Sequence, residues 1–156
     1  MVYPKFIEKR MLELFLEKFS IINTMFIKLY IIAFTVFLGI DALWLTLIAK
    51  NFYAKYIGYL MAKNPNLWAA LIFYLIFIAG LVFFVITPAL DKKMWTHALL
   101  AGIFFGLVTY ATYDLTNLAT IKNWPLIVTI VDLIWGMFVS AAVSVATYFL
   151  AIKFKL

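Results

Sequence analysis

The chain has no cysteine and a single histidine, His97, in 156 residues. The first absence excludes disulfides, thiol chemistry and thiolate metal sites. The second excludes a multi-histidine metal centre within one chain. Charge is scarce as well: 13% of residues are Asp, Glu, Lys or Arg, while 67% are hydrophobic. A soluble domain of this size cannot hide that much apolar surface, so the composition is that of an integral membrane protein. There is no glycine-rich phosphate loop, no zinc-ligand spacing and no serine–histidine arrangement. No paired-carboxylate motif of the type that holds a magnesium-diphosphate opens at Asp41 or Asp132. Sequence therefore indicates no metal site, leaves the cofactor unknown and identifies no catalytic residue.

What is present is four long apolar runs, each able to cross a bilayer as about 20 helical residues. They cover roughly Leu29–Ala49, Leu67–Pro88, Met94–Ala119 and Pro125–Ile152. The expected fold is an all-α integral membrane protein, a four-transmembrane-helix bundle forming a single domain over residues 25–156. Two flanking segments read as interfacial. Residues 4–20 place Ile7, Met11, Leu14 and Phe15 against Lys5, Glu8, Lys9 and Glu13 at helical spacing, the pattern of an amphipathic N-terminal extension (residues 1–24) on a membrane surface. Residues 51–63, with Phe52, Tyr53, Tyr56 and Tyr59, predict a short aromatic interfacial helix on the outer side. The first run is too long for a signal-peptide core and lacks a small-residue cleavage site, so it should remain as an anchor.

The net charge of +6 comes mostly from lysines beside the spans. It fits orientation and anionic-lipid contact rather than nucleic acid. Four spans put nine of the thirteen Lys and Arg residues on the side of the termini and four on the other. The positive-inside rule then places both termini in the cytoplasm. Without residues 1–24 the count is five against four.

Three of the seven acidic residues lie inside the apolar runs: Asp41, Asp114 and Asp132. A carboxylate at membrane depth costs about 2.5–3.5 kcal/mol on insertion scales, so such residues face a partner or a polar cavity. Each lies roughly 10–13 Å from the outer end of its span, and inward-facing residues at one level of a bundle meet. The third run reads Tyr110-Ala111-Thr112-Tyr113-Asp114-Leu115-Thr116-Asn117. Tyr110, Asp114 and Asn117 share a helical face, with Tyr113 and Thr116 at its edge. Tyr74 stands at a similar level on the second run. Trp44 and Trp135 each follow an aspartate by three residues, one expected above the acidic layer and one below it, bracketing a pocket. Asn117, Thr112 and Thr116 are expected as added oxygen ligands. No Lys, Arg or His stands beside the acids in the spans. The expectation is that at least one acid keeps a proton at neutral pH, or that a cation lies among them.

Small residues recur every four positions, at Ala98, Gly102 and Gly106 and again at Gly136, Ser140 and Ser144. That spacing lets helix backbones approach closely in lipid and predicts contact between the third and fourth spans. His97 reads as a helix-end interfacial residue.

Several of these strings together resemble an uncharacterised family of short bacterial membrane proteins, domain of unknown function 2177. They are Asp41-Ala42-Leu43-Trp44, Pro88-Ala89-Leu90, the Tyr110–Asn117 stretch, Trp124-Pro125 and Asp132-Leu133-Ile134-Trp135-Gly136. The resemblance covers about residues 25–152 and implies a four-helix protein of the bacterial inner membrane with no assigned activity. Family members typically begin near what is here Met25, so residues 1–24 depart from the pattern.

Three functions fit the acidic layer. The first is proton- or cation-linked transport, or ion or small-molecule binding, with self-association expected of so small a transporter. The second is an intramembrane enzyme acting on a lipid or isoprenoid-like substrate, with an aspartate as general acid. The third is a non-catalytic lipid-binding or accessory subunit.

Overall fold

The computed structural model describes residues 5–156, and the described residues contain helices and no strand. Helix α1 spans Lys5–Trp44 and continues through a π turn, Leu45–Ala49, into α2, Lys50–Ile57, and a 3₁₀ turn, Gly58–Leu60. Helix α3 covers Leu67–Leu81 and passes through a second π turn, Val82–Ile86, into α4, Thr87–Asp91. Helices α5, Trp95–Thr120, and α6, Leu126–Lys153, complete the chain. Four stretches are long and apolar enough to cross a membrane: Asn23–Leu60, Leu67–Asp91, Trp95–Thr120 and Leu126–Lys153. Large apolar side chains such as Phe83, Leu100, Phe104 and Phe138 stand exposed on these stretches. Soluble monomers rarely show so much contiguous apolar surface, and a bilayer is the medium that covers it.

The local signals account for the ends. Asn66 caps α3, its side-chain oxygen accepting from the backbone N–H of Trp68 at 3.1 Å and of Ala69 at 3.2 Å, as N-cap residues do. Pro88 carries no N–H, and the helix loosens into the π turn just before it. Asn123 takes a positive φ of 63° in the tight α5–α6 turn, a conformation asparagine tolerates. The stretch expected at residues 4–20 begins, among the described residues, as the start of α1, which runs without a break past residue 25. Residues 1–4 lie outside the described residues.

The core is organised by ridges of residues four apart, which share one helix face. On α1 the buried ridge is Leu29, Ala33, Phe37 and Asp41. On the second span it is Ile78, Val82 and Ile86, preceded one turn earlier by the half-buried Tyr74. On α5 it is Ala98, Gly102 and Gly106, then Tyr110 and Asp114. On α6 it is Asp132, Gly136, Ser140, Ser144 and Tyr148. Every ridge is apolar or small along most of its length and turns polar at the same end of the bundle.

Helices α5 and α6 touch backbone to backbone. A Cβ added at Gly102 would lie 2.9 Å from the Cα of Ala141, and one at Gly106 would strike the carbonyl of Gly136. This antiparallel contact sets the register. One turn from the Gly106–Gly136 contact, Tyr110 comes opposite the Asp132–Gly136 stretch. One turn further, Asp114 reaches Thr129, whose hydroxyl donates to the Asp114 carbonyl at 3.5 Å.

Candidate functional site: an acidic, tyrosine-lined pocket

The three spans expected to supply acids each bring one to the polar end of the bundle. Asp114 is 0% exposed, Asp41 5% and Asp132 7%. Two hydroxyls reach them. Tyr74 donates to Asp41 Oδ2 at 2.6 Å, and Tyr53 donates to Asp132 Oδ1 at 2.5 Å. Tyr110 lies between the two pairs, within electrostatic reach of Asp41, Asp132 and Tyr74. The Asp114 and Asp132 carboxyls stand within hydrogen-bonding reach of each other. As two acceptors they need one proton between them to form that bond.

The acids therefore do not converge on a point. Asp41 pairs with Tyr74 on one side, and Asp132 and Asp114 stand on the other, with Tyr53 bonded to Asp132. Among the described residues no group of three acidic or histidine side chains is arranged to hold a metal ion.

Asp114 is the unusual member. Neither of its carboxylate oxygens meets a donor among the described residues, and the buried Nδ2 of Asn117 meets no acceptor. Native interiors leave few such groups, because each costs the desolvation of the atom. Beside Asp114 lies a cavity of about 450 Å³, lined on its polar side by Asp114, Asp132 and Tyr53 and elsewhere by Phe73, Tyr110, Tyr113 and Trp124 among others. That volume is within the range of small-ligand sites.

Other expected residues take different places. Thr112 and Thr116 are exposed. Their hydroxyls donate to their own helix, Thr112 to the Val108 carbonyl at 2.7 Å and Thr116 to the carbonyls of Thr112 and Tyr113. Each is two residues from Asp114, about 200° around the helix, which turns both away from its carboxyl. Trp44 and Trp135 do not bracket the pocket from above and below. They stack on each other, ring centroids 4.4 Å apart and planes 10° from parallel. The indole that lines the cavity is Trp124, whose Nε1 donates to Thr129 at 3.0 Å.

Tyr53 is the residue that helical spacing misses. Twelve residues beyond Asp41, it should point about 120° away on a regular helix. The π turn at Leu45–Ala49 absorbs one residue, which leaves Tyr53 about 20° from the face of Asp41. The aromatic helix expected at 51–63 is thus α2, a continuation of the first span, and one of its tyrosines turns inward. Its far end is tied down by Tyr59, which donates to the Asn123 carbonyl at 2.9 Å. Trp124 and Thr129 were legible only in hindsight: Thr129 precedes Asp132 by three residues and shares its face.

Tyr53→Phe is expected to lower stability in detergent micelles by about 1–3 kcal/mol, since Asp132 loses a buried donor. In an Asp132→Leu background most of that cost should vanish. Equal losses in both backgrounds, read by chemical denaturation, would sink the pairing.

No curated protein and no solved structure matches this chain. A family model described as "Predicted membrane protein (DUF2177)" matches residues 26–149, which takes in all four helical spans in whole or in part and every residue of the acidic network. The chain belongs to this DUF2177 family of predicted membrane proteins.

Proposed function

We propose that this membrane protein holds a small cation or protonated amine in its acidic pocket, as the binding step of proton- or cation-linked transport. The observation that carries the reading is Asp114: fully buried, with both carboxylate oxygens lacking a donor, on the wall of a cavity large enough for a ligand. A carboxyl kept at membrane depth with only a second carboxyl beside it marks a functional site by default. No Lys, Arg or His lines the cavity, and Lys50 and Lys55 at that end of the first span are exposed, so a proton or a ligand is the source of positive charge that fits the pocket. The hydroxyls of Tyr74 and Tyr53, each bonded to one of the acids, are groups that can pass a proton to or from the carboxyls. A bacterial inner-membrane location, cytoplasmic termini and self-association belong to the same proposal. The first two rest on family resemblance and on the lysine and arginine asymmetry, the third on the small size of the bundle.

The test is thermal unfolding of the purified protein in lipid nanodiscs with n-butylammonium chloride as probe. Saturable stabilisation of the wild type is expected, reaching about 2.7 kcal/mol at a hundredfold excess over Kd, with none in Asp114→Asn. Sodium chloride at equal ionic strength is the control. No stabilisation of the wild type, or equal stabilisation of both proteins, would overturn the reading.

A further inference from the structure

We infer that the pocket opens sideways into the bilayer between α3 and α5, and that its ligand is a long-chain amphiphile with a protonated amine head. The inference rests on the binding role proposed above and names the ligand class and its route.

The end of the cavity nearest the connecting loops is partly closed by α2, with the half-exposed Met61 also on its wall. Tyr53 and Ile57 of α2 line it there, and α2 is held down by the bonds from Tyr53 to Asp132 and from Tyr59 to the Asn123 carbonyl. The side is not covered. Helices α3 and α5 meet at Gly80, where an added Cβ would stand 3.0 Å from the Phe105 ring, and at Phe77, whose ring centroid is 5.6 Å from that of Phe105. Phe77 also meets the Tyr110 ring edge-on, centroids 6.4 Å apart, and beyond it a gap opens in which α3 loses its cover. Residues 61–73 are exposed throughout, so the first turns of α3 bury no face at all.

Two cavity-wall residues flank this gap: Phe73 on α3, 47% exposed, and Tyr113 on α5, 61% exposed. Each lies roughly 9–10 Å inside the end of its helix. At that depth in a spanning helix, an exposed face looks onto hydrocarbon, and water lies beyond the helix ends. A wall residue that is half exposed there places the cavity mouth on the lipid side. The chemistry of the occupant follows from the two ends. Inside stand Asp114 and Asp132 with no Lys, Arg or His among the residues that line the cavity, which suits a cation able to donate hydrogen bonds. At the mouth stand aromatic and apolar side chains, which suit an alkyl chain. A single-chain amine in the leaflet level with the acids would place its head on the carboxyls without leaving the membrane.

The experiment compares ligands of equal tail and opposite head. In nanodiscs, tryptophan fluorescence is titrated with a spin-labelled stearylamine and with the matching spin-labelled stearic acid, a nitroxide close to the head group quenching Trp124. Saturable quenching by the amine at least fivefold above that by the acid is expected, lost in Asp114→Asn and reversed by excess dodecylamine. Equal quenching by amine and acid in the wild type would overturn the amine assignment, whether or not the variant folds. Saturable binding of n-butylammonium with no competition from dodecylamine would overturn the sideways mouth and leave the binding site standing. Failure of butylammonium as well would remove both.

Discussion

Gly106→Val should be the most damaging single change outside the acidic network, lowering the apparent melting temperature in detergent by about 10 °C or more. The reason is backbone geometry. A Cβ at this position meets the carbonyl of Gly136 and the hydroxyl of Ser140, and the first of these is main chain that cannot rotate away. Helix α6 would have to retreat, and in lipid no hydrophobic force restores the lost contact. Overpacking ordinarily costs about 1–3 kcal/mol, and a backbone-to-backbone site belongs at or above the top of that range. Damage would also reach the pocket, because the Gly106 contact sets the register that carries Tyr110 and Asp114 to Asp132. Gly39→Ala and Gly58→Ala are the controls. Nothing lies within 4 Å of an added Cβ at either, so the helix-propensity gain of about 1 kcal/mol for alanine over glycine is unopposed. If Gly106→Val melts like the wild type, the α5–α6 contact does not organise the bundle.

Asp114→Leu should raise stability, by about 1–3 kcal/mol, while abolishing amine binding. Its carboxylate oxygens are buried without a donor, and replacing an unsatisfied polar group by an apolar one of similar size removes its desolvation cost. The same replacement at Asp41 should act in the opposite direction. Asp41 accepts from the Tyr74 hydroxyl, which Asp41→Leu would leave stranded. The pair of signs separates two accounts of the acids. A hydrogen-bonded clamp between helices predicts loss at both positions. A binding site maintained at the expense of stability predicts gain at Asp114 and loss at Asp41, a pattern found where function is retained against folding. Chemical denaturation of both variants decides it, and destabilised Asp114→Leu would make the Asp114–Asp132 pair structural.

Much of this was legible in the sequence. Four apolar runs located the spans to within a few residues, except that the first helix extends further at both ends. The small residues at 98, 102 and 106, and at 136, 140 and 144, do hold α5 and α6 together. Counting four further from Gly106 reaches Tyr110 and Asp114, and counting four back from Gly136 reaches Asp132. The packing stripe and the acids are thus one periodic feature, which the sequence contained but which reads as two when each motif is taken separately. What depth alone could not supply was azimuth. Placing residues by level along the membrane put Thr112 and Thr116 beside Asp114, although a difference of two residues turns them to the far side. It also separated Trp44 from Trp135, which helix packing brings face to face. Tyr53 depends on a π turn that no residue in Leu45–Ala49 announces, since five ordinary helix-compatible side chains form it.

That π turn has a consequence for how chain length is tolerated. Because it already absorbs one surplus residue, removing one residue from 45–49 would relax the turn into regular helix and leave Tyr53 on the face of Asp41. A one-residue insertion in the same stretch has no such slack to draw on, and would swing the hydroxyl by about 100° and strand Asp132. Insertions and deletions are ordinarily read as signs of a loop. Here a one-residue deletion inside an unbroken membrane helix would be silent, and a one-residue insertion would not.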